Sequence, residues 1–60
     1  MTATLELTYR LHQIALNIEY AIKEDGKMAS DAILQAEWDN ALTDEESDAV
    51  YSALESWGAI

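Results

Sequence analysis

Proline is absent from this chain, and glycine stands only at positions 26 and 58. Proline ends regular structure because it lacks an N–H and clashes with the preceding turn. Glycine ends it because its backbone is the least restricted. A chain with so few breakers falls into long uninterrupted stretches, and the spacing of its apolar residues shows that these stretches coil. Leu7, Leu11, Ile14, Ile18 and Ala21 recur at intervals of four and three, widened by Ala15 and Ile22. That period is the one that places residues on a single side of an α-helix.

Three helices are expected, over residues 4–25, 30–42 and 44–57, giving an all-α three-helix mini-domain. Gly26 is expected to serve as a left-handed cap after the first helix. On that helix Glu6 and Arg10, and then Glu19 and Lys23, stand four apart with the acid first, the better order for an ion pair. The second helix is expected to start at Ser30, with Asp31 favoured at the positive end of its dipole. Its main apolar stripe is read as Leu34, Trp38 and Ala41, with Ile33 and Ala36 to one side. The third opens on Thr43-Asp44-Glu45-Glu46, which fits a capping box. Its apolar face is Ala49, Val50, Ala53, Leu54 and Trp57, and Gly58 stops it before the apolar tail Ala59-Ile60. The short connections imply neighbouring helices that run roughly antiparallel.

Length sets the next constraint. Sixty residues make a single domain (1–60), and one that buries only roughly 60% of its unfolded surface. Such scaffolds are usually reinforced by disulfides, a metal or association. There is no cysteine, and the single histidine, His12, has Thr8, Tyr9, Ala15 and Leu16 at the positions where a helical metal partner would stand. No metal, cofactor or catalytic residue is therefore expected, and the chain is not expected to be an enzyme. Association remains. The first helix carries a second apolar series, Leu5, Tyr9, His12, Leu16 and Tyr20, nearly opposite the first. A surface helix ordinarily has one apolar stripe, and tyrosines are enriched at interfaces. These five residues are the expected partner surface, with a homodimeric bundle as the leading arrangement because two-fold homodimers are the commonest oligomers. The competing arrangement has the other two helices straddle the first and cover both stripes.

Charge narrows the partner. Twelve acids against three bases give −9, and residues 43–60 contribute −5 with no base at all. Nucleic acid and anionic lipid repel such a chain, whereas basic protein surfaces attract it. Asp44, Glu45, Glu46 and Asp48 are the candidate acidic partner face, although their place in a helical first turn already explains them. No apolar run is long enough for a membrane span, and the N-terminus lacks a secretory pattern, so a cytoplasmic protein is expected. The order Ser30-Asp31-Ala32 reverses the Asp-Ser-Leu context of acyl carrier proteins.

The amphipathic helix over residues 5–25 and the acidic helix start over residues 43–48 resemble the small acidic helical proteins of temperate, lambda-like phage early regions. The resemblance implies stoichiometric binding of a host protein and assigns no residue a role. The function expected from the whole reading is a small regulatory binding protein. The alternatives are a nucleic-acid mimic that inhibits a DNA- or RNA-binding protein, and a structural assembly module.

Overall fold

The computed structural model describes residues 8–60. Three helices make up its regular structure: α1 (Tyr9–Lys23), α2 (Ala29–Asn40) and α3 (Asp44–Ser56). The three-helix, all-α reading is borne out, and the differences lie at the helix ends and in the face that α2 turns inward.

The first helix starts later than expected. Thr8 is extended (φ −69°, ψ 167°), and its hydroxyl accepts a hydrogen bond from the Leu11 amide at 3.2 Å. A threonine that captures a first-turn N–H is an N-cap and holds the backbone out of the helical region. The expected start at residue 4 is thereby corrected to Tyr9. Residues 4–7, with Leu5, Glu6 and Leu7, lie outside the described residues. At its other end α1 stops at Lys23, with Glu24 as a right-handed cap. Gly26 takes the left-handed conformation (φ +71°) two residues later, where the Lys27 amide folds back onto the Ala21 carbonyl at 3.1 Å.

The expected cap at Ser30 is also corrected. Met28 is the N-cap of α2, without a side-chain cap bond, and its carbonyl accepts from Ala32 at 2.9 Å. Ser30 lies inside the first turn. The last residue of α2 is followed by Ala41 in the left-handed region (φ 50°, ψ 50°). Leu42 donates to the Glu37 carbonyl at 3.1 Å across this turn. α3 ends in the same way, but with a glycine at the left-handed position. Gly58 (φ +76°) lets Ala59 donate to Leu54 at 2.9 Å. This is the Schellman arrangement, for which glycine is favoured because it has no Cβ to clash.

The core consists of Leu11, Ile14, Ala15 and Ile18 from α1, Ala32 from α2, and Val50, Ala53 and Leu54 from α3. α1 packs against both other helices, while α2 and α3 scarcely touch each other. The face expected of α3 is the buried one. The face expected of α2 is not. Leu34 and Trp38 are 53% and 79% exposed, and the helix instead presents Ala32, Ile33 and Ala36 to the core. Ala32 and Ala36 on that side leave room for the larger Ile14 and Ile18 of α1, with Ile33 packed beside them, so side-chain volume as well as hydrophobicity decides the inner face.

Two substitutions check this packing by chemical or thermal unfolding. Ala41→Gly is expected to raise stability by about 0.5–1 kcal/mol. It relieves a left-handed strain of roughly 1–2 kcal/mol against an unfolded-state entropy cost of roughly 0.4–1 kcal/mol. Leu54→Ala, at a fully buried site, is expected to cost about 2–5 kcal/mol.

Candidate functional site

The outward faces of the three helices differ in chemistry, and each follows from where its helix is anchored. On α1 the buried Leu11, Ile14, Ala15 and Ile18 occupy one arc. At about 100° per residue, Tyr9, Leu16 and Tyr20 fall on the opposite side within an arc of about 40°. They are 81%, 37% and 63% exposed. The other two helices therefore do not straddle α1 to cover both of its stripes. The inner stripe is the core, and the outer one is open in the single chain.

His12, expected in that outer series, is placed elsewhere. It is half-buried and meets Trp57 of α3 edge-on, with ring centroids 5.4 Å apart at 80°. Edge-to-face packing of this kind is favourable for two aromatic rings, and it makes His12 part of the seam between α1 and α3. Leu5 lies outside the described residues.

Arg10 joins all three helices. Its guanidinium donates to Glu46 Oε2 of α3 at 2.9 Å and to the Asn40 carbonyl at the end of α2 at 2.8 Å. The second bond satisfies a carbonyl at the negative end of the α2 dipole, where a cation is favoured. The expected partner, Glu6, lies outside the described residues. The other expected pair is present, with Lys23 Nζ 3.3 Å from Glu19 Oε2.

Glu46 has a double assignment. Thr43 and Glu46 form a reciprocal capping box: the Glu46 amide donates to Thr43 Oγ1 at 3.1 Å, and the Thr43 amide donates to Glu46 Oε1 at 3.0 Å. The backbone bond from Thr43, then the charge and hydrogen bond of Arg10, hold the Glu46 carboxyl below the usual glutamate range despite some desolvation. Of the four acids expected to form a partner face, Glu46 is thus committed to the fold. Asp44, Glu45 and Asp48 are exposed. Asp44, Asp48 and Glu55 share the outward side of α3 with Tyr51, which is also exposed.

Charge is segregated among the same elements. Residues 8–23 carry +1, from Arg10 and Lys23 against Glu19. Residues 24–40 carry −4, from five acids against Lys27, and residues 44–56 carry −5. In a chain of net charge −9, α1 is therefore the one helix among the described residues without an acidic excess.

The outward face of α2 was not foreseen as a surface. Met28, Leu34 and Trp38 border a shallow groove along it, together with Lys27, Asp31 and Gln35. The sequence signal for it was the Ala32, Ala36 spacing, which marks the opposite side as the one turned toward α1. Among the described residues, no three His, Asp or Glu side chains converge as metal ligands. No described helix is long and apolar enough to cross a membrane.

No protein family, curated protein or solved structure matches the chain.

The Glu46 arrangement carries a pH signature. Its folded pKa lies below its unfolded one, so its stabilisation is present above the unfolded pKa and lost as pH falls through the folded pKa. Glu46→Ala is expected to destabilise the protein at neutral pH. Urea midpoints of variant and wild type should then converge on acidification past the Glu46 folded pKa.

Proposed function

We propose that this protein is a small regulatory binding protein that acts stoichiometrically on another protein and self-associates through the outward face of α1. The observation that carries this reading is the exposed set Tyr9, Leu16 and Tyr20 on the one helix among the described residues without an acidic excess. A two-fold contact brings the same patch of both copies together, so any charge on the patch meets its own kind. A face on α2 or α3 would place −3 against −3 or −5 against −5, whereas the face on α1 avoids this penalty. It also offers aromatic side chains with polar tips, which suit an interface. A second copy supplies what a core of this size lacks, since burying a large apolar side chain stabilises by about 1.5–3 kcal/mol.

The resemblance to temperate-phage early proteins supports a host protein, met in the cytoplasm, as the regulated target. The fold then acts by occupying surface, without a cofactor. A second reading, a nucleic-acid mimic, draws on Asp44, Asp48 and Glu55 along one side of α3. Capture of the target by that face should weaken steeply with added salt, whereas association through the near-neutral outward face of α1 should not.

Light scattering or sedimentation equilibrium tests the self-association. Wild type is expected at twice the mass of one chain. Leu16→Glu or Tyr20→Glu is expected to return it to a single chain, with affinity lowered at least about tenfold, or about 1.4 kcal/mol. A monomeric wild type with unchanged helical content overturns the dimer.

A further inference from the structure

We infer that the outward face of α2, anchored by Leu34 and Trp38, docks a cationic amphipathic helix of another protein. This rests on the protein-binding reading above and identifies the chemistry of the partner.

The face is apolar where the fold gives it no reason to be. Trp38 and Met28 are 79% and 70% exposed, and Leu34 is exposed beside them. Tryptophan is the residue most enriched among binding hot spots, and methionine adapts its shape to a partner surface. Leu34 and Trp38 stand four apart on one side of α2, so they form a ridge. The groove they border runs along the helix from Lys27 past Asp31 and Gln35, and Lys27 is already counted in the charge of residues 24–40. From Met28 to Trp38 it spans ten residues, or about 15 Å at the helical rise. That length matches roughly three turns of a second helix packed ridge into groove.

Charge selects among the possible occupants. Residues 24–40 carry −4, and Trp38 is followed, across the turn Ala41-Leu42-Thr43, by the exposed Asp44 and Glu45. The Leu42 amide bonded back to the Glu37 carbonyl keeps that turn tight. A second copy would set this acidity against itself, and anionic lipid or nucleic acid would meet the same repulsion. A helix whose apolar stripe is flanked by Lys or Arg satisfies both features: its stripe enters the groove, and its bases meet the exposed Asp31 in the groove and the acidic excess of residues 24–40 around it. α1 and α2 then have separate roles, since the α1 outer stripe points away from the helices that cover its inner one, and the groove points away from α1.

The test is calorimetric titration of the full chain with a synthetic leucine–lysine peptide patterned as an amphipathic helix, and with its leucine–glutamate counterpart. The lysine peptide is expected to bind and the glutamate peptide not to bind. Trp38→Ala removes no charge and lies outside the core, so helical content should be unchanged while Kd rises by about thirtyfold, as for a central hot-spot tryptophan. Leu16→Ser on α1 should leave Kd within about twofold, because changes at independent sites do not couple. Equal binding by wild type and Trp38→Ala means that charge alone captures the peptide, and overturns the inference. So does failure of the lysine peptide to bind, or binding of both peptides alike. A fall in molar mass in Trp38→Ala assigns the face to a second copy and overturns it as well. Failure of the proposed dimer shows separately, in the molar mass of wild type and Leu16→Glu.

Discussion

α2 and α3 are held in the fold through α1, because they scarcely touch each other. The interaction on which the rest depends is therefore the burial of one arc of α1, Leu11, Ile14, Ala15 and Ile18, against two partners at once. Ala32 and its neighbours meet that arc from one helix, and Val50, Ala53 and Leu54 meet it from the other. A polar tie repeats the pattern at the rim: the Arg10 guanidinium bonds α2 at Asn40 and α3 at Glu46. Its side chain is half-exposed, so solvent screens the ion pair and its contribution is modest. Its value is geometric, since one planar group with several donors fixes the end of α2 relative to the start of α3.

With the core built on one side of α1, the surface chemistry follows. The helix that both partners grip keeps its other side free, and that side holds Tyr9, Leu16 and Tyr20. α2 approaches α1 through Ala32, Ile33 and Ala36, which sends Leu34 and Trp38 outward. α3 spends its large apolar residues on the core and leaves acids outside. The chain thus presents a near-neutral aromatic face, an acid-flanked apolar face and an acidic face.

Much of this was legible in the sequence, for reasons tied to particular residues. The capping box at Thr43 and Glu46 is local, and so is the apolar period of α3, and both appear as read. The double stripe of α1 was visible because Leu and Ile against Tyr and Leu separate cleanly around a helix. The face of α2 was misread because hydrophobicity ranked Leu34 and Trp38 above Ala32 and Ala36, whereas the space available beside α1 favoured the small side chains. The start of α1 was misread because apolar periodicity continues through residues 4–7, while Thr8 stops the helix by a side-chain bond that periodicity does not register. His12 was assigned to the outer series by spacing alone, and only the packed Trp57 ring places it in a seam. The role of Arg10 had no local signal, because its partners stand 30 and 36 residues away.

On the proposed reading, one arc of α1 makes the fold and the opposite arc joins two copies. In that case folding and association are coupled, and stability depends on protein concentration by mass action. The most direct measurement is the thermal unfolding midpoint of the wild-type chain over a wide range of protein concentration at fixed salt. The midpoint is expected to rise steadily with concentration, and that of a Leu16→Glu variant to be lower and constant. A wild-type midpoint that stays the same across the range would contradict that reading.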